Sequence, residues 1–409
     1  PEVSEAVDFA HYYARQALRI DDVEGAAARP RGTVVVTPPW NFPFAIPAGG
    51  VLACLAAGNT VILKPAPQTV GVARLIAQWC WDAGVPTDVL QFVPAADDDA
   101  GRRLVTHPDV AAVILTGSAE TADLFHGWRP QLRLHAETSG KNALVISASA
   151  DADEAVADLV ASAFGHAGQK CSAASLAIVE APLYDDAAFL ERIRDAAATL
   201  RVGASHELAT DVARLVEPPG DRLDRALTTL DAGEEWLLRP ECRSDDRRLW
   251  SPGVRIGVRP GSWFHRTECF GPVLGIMRAD DLDHAIEIQN ATAFGLTAGL
   301  HALDPSEVDR WIDRVEAGNL YVNRGITGAI VQRQPFGGWK RSVIGPGAKA
   351  GGPNYVAQLG TWSPVEGVEP DDEWWWENVY GRDHDPTGLF CEANILRYRP
   401  LPRVLLRLS

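Results

Sequence analysis

From about residue 31 to 148, short β-branched runs alternate with alanine-rich stretches of helical period. The run TVVVT (residues 33–37) has no polar face, the pattern of a strand buried on both sides. AIPAGGVLACLAAGN then predicts a helix closed by Gly58 near its C-terminus. The series continues with TVILKP (strand), GVARLIAQWCWDAG (helix), DVLQFVP (strand), GRRLVTHP (helix), AAVILTGS (strand) and AETADLFHGW (helix), before the strands QLRLHAE and NALVISAS. Strands and helices alternating at this spacing predict a parallel sheet covered on both faces. A second α/β region runs from roughly 140 to 341, with helices over 153–165 and 282–290 and strands such as NLYVN. After residue 360 the character changes. DDEWWWENVYG and the strand-like NILRYRPLPRVLLRL read as an appendage or the start of another domain, with most of the tryptophans as packing residues.

A chain of 409 residues has room for two or three domains. No apolar run reaches the roughly 18 residues of a membrane helix, and no basic-then-apolar leader opens the chain, so no membrane insertion and a cytoplasmic location are expected. A net charge of −16 argues against a nucleic-acid partner and leaves a small-molecule substrate as the expectation. The six cysteines are scattered without a CxxC pair, so neither a disulfide framework nor a metal site is expected. The chain opens on Pro1 and its only methionine is Met277, which reads as a fragment or a processed piece.

One cysteine stands in unusual company. In GHAGQKCSAAS, glycines 165 and 168 strip bulk from around Cys171, and Lys170 places a positive charge that favours thiolate. A lone cytosolic cysteine is more often a packed small residue, and a cysteine hydrolase would need a histidine base that His166 is not spaced to supply. Two other stretches supply partners of a different kind. Glu137, in LHAETSGKN, ends a strand, where α/β sheets place active sites; Asn41, in PPWNFPFAIP, follows another. Taken singly, each is an ordinary turn residue. Together, thiol, carboxylate and amide suit aldehyde oxidation: thiolate attack, an oxyanion held by the Asn41 amide and the Cys171 N–H, hydride loss, and thioester hydrolysis through Glu137. The cofactor this needs has a candidate seat at VILTGSAETADLF, where Gly117 and Ser118 turn a strand into a helix whose N–H groups face a pyrophosphate. Lys64, ending TVILKP, is placed for an adenosine ribose. Ser172 follows the nucleophile with a hydroxyl for an anionic substrate group, and the glycine-rich GPGAKAGGPNY (residues 345–355) offers backbone N–H groups to an anion.

PWNFP, VILKPAPQT, HPDVAAVILTGS, ETSGKNA, GQKCSAAS, ECFGPV and QPFGGWKRS occur in the order found in the aldehyde dehydrogenase superfamily, which the chain resembles over nearly all of residues 1–358. The resemblance implies an α/β, aldehyde dehydrogenase-like fold: a Rossmann-type NAD-binding domain over 1–138, N-terminally truncated with 342–358 packing back on it, a catalytic domain over 139–341, and an appendage over 359–409. It implies Cys171 as nucleophile, Glu137 as general base and Asn41 as oxyanion amide. Lys64, Gly117 and Ser118 fall to adenosine and pyrophosphate, and Glu268 to the nicotinamide ribose with Phe270 beside it. Pro67 stands where many members carry a glutamate that grips the adenosine ribose, which leaves NADP open beside NAD.

With VNRGITGAIVQRQPFGGWK, the glycine-rich stretch is similar to the Δ1-pyrroline-5-carboxylate (L-glutamate γ-semialdehyde) dehydrogenases, most closely the dehydrogenase part of bifunctional proline utilization A proteins. That likeness implies Ser172, Gly351 and Gly352 as the anchor of the substrate α-carboxylate, and Phe42 and Phe336 packing on its aliphatic chain. It implies oxidation of L-glutamate γ-semialdehyde to L-glutamate in proline catabolism, a homo-oligomeric parent, and FAD only where an upstream proline dehydrogenase domain exists. A dehydrogenase for another acidic semialdehyde, or an inactive regulatory copy, are the competing expectations.

Overall fold

The computed structural model describes residues 2–367 and 371–400. Thr33–Thr37 lies in the middle of a six-stranded sheet, as its unbroken apolar pattern requires. Thr60–Leu63 and Leu90–Phe92 lie on one side of it; Val110–Thr116, Leu134–Glu137 and Val343–Ile344 lie on the other. All pairings are parallel except that of Val343–Ile344. Alternate side chains reach opposite layers. Val34, Val36 and Leu63 meet Phe9, Tyr13 and Cys54, from helices Glu2–Ile20 and Ala45–Ala56. Val35, Val113 and Leu134 meet Val105 and Phe125, from helices Asp99–Thr106 and Ala119–Trp128. Each such valine contributes roughly 1.5–3 kcal/mol by burial. Both faces are covered.

The second sheet has seven strands in the order Asn319–Val322, Thr297–His301, Asn142–Ile146, Ala174–Glu180, Val273–Ala279, Gly253–Ile256 and Glu235–Leu238, parallel except for the last. One core joins it to helices Ala152–Phe164, Ala187–Ala198, Leu282–Asn290 and Pro305–Arg314 through residues such as Phe164, Phe189, Ile286 and Trp311. Only residues 138–141 separate Glu137, at the C-terminal end of a first-sheet strand, from Asn142, at the start of a second-sheet strand. The C-terminal edge of one sheet therefore faces the N-terminal edge of the other.

Helix Glu2–Ile20 was not among the elements expected. Its buried Ala6, Phe9, Tyr13 and Gln16 repeat at helical spacing. Near the other end, Gly360–Pro364 pairs antiparallel with Ala26–Pro30, so the segment expected as an appendage begins as a strand. Two expectations about that segment are corrected. Trp374, Trp375 and Trp376 are 49%, 41% and 40% exposed rather than packed, because three consecutive helical positions sweep too wide an arc to share one buried face. Asn394–Pro400 forms no strand; Leu396 makes an isolated bridge to His384, and Pro400 has no N–H to extend it. The remainder of that stretch, residues 401–409, lies outside the described residues. Among the described residues no helix is long and apolar enough to cross a membrane, and no cluster of His, Cys, Asp and Glu is arranged to hold a metal ion.

Candidate active site

Cys171 enters the strand Ala174–Glu180 from a strained turn. His166 and Ala167 hold φ of 60° and 54°, a left-handed conformation that non-glycine residues adopt at a cost on the order of 1 kcal/mol or more each. Gly168, at φ 67°, is there for close approach: a Cβ would sit 2.2 Å from the Gly271 carbonyl oxygen. Gly165 has nothing within 4 Å of its Cβ position, so of the two glycines only Gly168 is required sterically, and for backbone contact rather than to clear space around the thiol. Asn142, which sequence reasoning passed over, clamps the turn. Its Nδ2 donates to the Cys171 carbonyl at 2.7 Å and the Ala173 carbonyl at 3.0 Å, while its Oδ1 accepts from the Thr297 N–H at 3.1 Å.

Two cavities meet at Cys171. The larger, about 290 Å³, is lined by Glu137, Cys171, Ser172, Phe42 and Phe336 among others. The smaller is lined by Cys171, Gly140, Glu268 and Phe270. Asn41, 5% exposed, donates one amide N–H to the Gln169 carbonyl at 3.0 Å, two residues before the thiol, and has a second N–H to offer. Phe42 stacks on His166 with ring centroids 5.7 Å apart. Phe336 bonds through its backbone to Ala350, which ties it to the glycine-rich loop.

That loop departs from expectation. The Gly351 N–H donates to the Tyr13 hydroxyl at 2.9 Å, and the Gly352 N–H to the Lys349 carbonyl at 2.9 Å. Neither is free for an anion: the first is taken by Tyr13, which a helix the sequence reading left out brings against the loop, and the second by a turn within the loop. Gly347, Ala348, Ala350 and Tyr355 are the loop residues that line the cavity. From the same helix, Glu5, Phe9 and Tyr13 line it as well.

On the cofactor side, Gly117 and Ser118 follow Val110–Thr116 and Lys64 follows Thr60–Leu63, flanking the central strand where the direction of winding reverses. A doubly wound sheet opens its ligand crevice there, so the arrangement fits a dinucleotide. The N–H groups expected to face a pyrophosphate are partly taken. The Gly117 N–H donates to the Glu137 carbonyl at 3.1 Å, and the Thr121 and Ala119 N–H groups are capped by the Ser118 and Ser139 hydroxyls. Lys64 is paired with Asp97. Glu268 accepts from the Gly140 N–H at 2.8 Å, and Phe270, at φ 58°, sets its ring edge-on to Trp40 at 5.6 Å.

The electrostatics correct one further expectation. Burial pushes the Cys171 thiol well above its ordinary value; the carboxylates of Glu137 and Glu268 push the same way, against the N–H groups of Ser172 and Cys171. Lys170 couples to the sulfur but does not outweigh them, so the thiol form is favoured. Glu137 is pushed up to about 8 by burial, with the Lys349 ammonium pulling it back. Glu268 is raised by burial too, against the hydrogen bonds it accepts from Gly140 and Ser139. A proton leaving Cys171 therefore has an acceptor beside it.

Comparison with known proteins places this geometry. The aldehyde dehydrogenase family model matches residues 1–361. A 1-pyrroline-5-carboxylate dehydrogenase of Geobacillus sp. (strain WCH70) is 38% identical over 376 residues, covering 87% of this chain and 72% of that protein. Among solved structures, proline utilization A (PutA) from Corynebacterium freiburgense is 55% identical with a TM-score of 0.95, covering 98% of this chain and 44% of that one. The 1-pyrroline-5-carboxylate dehydrogenase from Thermus with bound NAD is 34% identical with a TM-score of 0.83, covering 89% of this chain and 73% of that one. The chain thus spans less than half of the PutA it matches but 72% and 73% of the two 1-pyrroline-5-carboxylate dehydrogenases. It belongs to the aldehyde dehydrogenase family.

Proposed function

We propose that the chain oxidises L-glutamate γ-semialdehyde, the open form of Δ1-pyrroline-5-carboxylate, to L-glutamate with NAD. The observation that carries the reading is that Cys171 lines both cavities, one holding Glu137 and Ser172 and the other Glu268 and Phe270. A substrate carbon bonded to that sulfur faces a proton acceptor on one side and the cofactor seat on the other. The names of the Geobacillus and Thermus relatives, and NAD in the latter, support the substrate and the cofactor. Glu137 and Asn142 bound the seam between the two sheets, which we take as the boundary between cofactor and catalytic domains.

Glu137 takes the thiol proton as the Cys171 sulfur bonds to the aldehyde carbon, and the second N–H of Asn41 with the Cys171 N–H holds the oxyanion. Bound NAD, with Glu268 at its nicotinamide ribose and Lys64, Gly117 and Ser118 toward its adenosine end, supplies the hydride acceptor. Once Glu137 has passed that first proton to solvent, it takes a proton from water as hydroxide adds to the thioester, and returns it to the sulfur as the carbon–sulfur bond breaks, releasing the carboxylic acid and the thiol. Ser172 and the cavity-facing Gly347 and Ala348 receive the substrate carboxylate, and Phe42 and Phe336 flank its methylenes. The Asp97 carboxylate beside Lys64 disfavours a 2′-phosphate, which supports NAD over NADP.

NADH formation from pyrroline-5-carboxylate and NAD tests the reading. No NADH from the wild type, or undiminished turnover in Cys171→Ala, overturns it. Equal or better kcat/KM with succinate semialdehyde would move the substrate assignment to another acidic aldehyde. We further infer that the chain is the dehydrogenase module of a longer, oligomeric bifunctional protein, with any flavin bound outside this chain. Intact mass and flavin absorbance of the parent protein test that.

A further inference from the structure

Lys349 is a buried lysine in the middle of the glycine-rich loop. Its ammonium donates to the Gly318 carbonyl, to the Gly337 carbonyl at 2.8 Å and to Asn319 Oδ1 at 2.9 Å. The Asn319 amide is fixed in that sense, because its Nδ2 donates to the Pro335 carbonyl at 2.9 Å. Three oxygen acceptors match the three N–H bonds of an ammonium; a neutral amine has two and would turn its lone pair toward a carbonyl. Burial pushes the lysine down to about 7 against the pull of Glu137, while the three-oxygen acceptor geometry favours the ammonium form. The backbone brings the two groups together: Val343 pairs directly with Glu137, and the loop then returns so that Gly347, Ala348 and Ala350 line the same cavity as Glu137. Among the described residues, the Glu137 carboxylate makes no side-chain hydrogen bond that would hold its charge.

We propose that Lys349 is a positioning residue for the base: a cation held by three oxygens that favours the carboxylate form of Glu137 against the effect of burial and registers the 345–355 loop against it. This rests on the reading of Glu137 as general base. The other titratable groups around the cavity do not supply that charge. Cys171 and Tyr355 are neutral or negative, as is Tyr321, which burial raises together with Cys171 and Glu137. Glu5 is acidic, His135 is driven down to about 4 and so is neutral, and Lys170 sits beside the thiol. Glu268 acts on the thiol from the other cavity.

The test is the pH dependence of kcat and of the pre-steady-state NADH burst in the wild type, Lys349→Met, Lys349→Gln and Lys349→Arg, each checked by circular dichroism. In the folded neutral variants the acidic limb of kcat moves up by about one pH unit or more, the effect of withdrawing a nearby opposite charge, while the burst amplitude at alkaline pH is kept. Lys349→Arg keeps the wild-type limb even where its kcat is lower. A limb unmoved in the neutral variants, or one that moves as far in Lys349→Arg as in them, overturns the proposal and leaves only a structural lysine. Should neither neutral variant fold, the arginine variant decides alone: a limb at the wild-type position supports the proposal and a raised one overturns it. Absence of NADH from the wild type would overturn the base reading and this proposal together, whereas an active wild type with an unmoved limb overturns this proposal only.

Discussion

Two glutamates flank one thiol from opposite cavities, and their surroundings differ in kind. Both are raised by burial. On the large-cavity side Glu137 has no hydrogen-bond donor among the described residues and feels a fixed cation, Lys349. On the small-cavity side Glu268 is tied to the Gly140 N–H and to Ser139. A carboxylate that must accept and release a proton is controlled by a charge that does not compete for its lone pairs. One that must hold a ligand is oriented by donors that fix its direction. Under the proposed function, the local partner of each acid separates a base from a clamp.

That contrast fails outright if the sulfur between the two acids is not the reacting atom. Cys171→Ala should lower kcat on the order of 10⁵-fold or more, as loss of a covalent nucleophile does. NADH production from pyrroline-5-carboxylate measures it. Next in size is Glu137→Gln, which removes the base but keeps the shape, with an expected loss of roughly 10²–10⁴-fold in steady-state turnover. Rapid-mixing traces sharpen the point. If Glu137 chiefly drives thioester hydrolysis, a burst of NADH of about one equivalent per site survives while the following slow phase collapses.

The same acid sets the pH response. Its value is raised to about 8, so the carboxylate form, and with it turnover, grows as pH rises through 8 and falls away toward pH 7 and below. The thiol is raised as well, so alkylation of Cys171 by iodoacetamide in the cofactor-free protein should be slow at pH 7 and accelerate on the alkaline side. Fast labelling at pH 7 would mean that Lys170 governs the thiol and the two acids do not.

Much of this was legible in the sequence, and the remainder was hidden for identifiable reasons. Thr33–Thr37, Ala119–Trp128 and Leu282–Asn290 follow from period and caps, because a two-faced strand and an amphipathic helix leave their mark within a dozen residues. Cys171, Glu137 and Asn41 stand out by residue type; the fold puts Cys171 and Glu137 on one cavity, while Asn41 lines neither cavity and reaches the thiol turn through the Gln169 carbonyl. Lys349 carried no such mark. Its acceptors come from positions 318, 319 and 337, and a lysine in a glycine-rich run shows nothing of them. The engagement of Gly351 was equally invisible, since Tyr13 lies 338 residues away in sequence. The expected activating role of Lys170 failed because adjacency in sequence does not state what else surrounds the sulfur.

Smaller in effect than loss of the base is a change that disturbs both sides of the thiol equally. In Gly168→Ala the new Cβ meets the Gly271 oxygen at 2.2 Å in a left-handed backbone. A loss of about 1–3 kcal/mol is expected in denaturant unfolding, with kcat reduced because the Cys171 turn shifts. Gly165→Ala, with open space around it, serves as the control and should be close to neutral.

The smallest effect should come from Glu268→Gln, and it tests the comparison most narrowly. Glutamine keeps an oxygen for the Gly140 N–H, so the segment stays in place and only the charge and one acceptor are lost. Loss of one ordinary hydrogen bond to the cofactor is worth about 0.5–1.5 kcal/mol, or roughly 2- to 13-fold in KM for NAD, with kcat nearly kept. The thiol would also feel one negative charge fewer, since Glu268 is one of the two acids that raise it, so alkylation of Cys171 should become easier at neutral pH. Glu137→Gln makes alkylation easier in the same way yet destroys turnover. If Glu268→Gln instead abolished turnover while leaving KM for NAD untouched, the clamp and the base would have to exchange places.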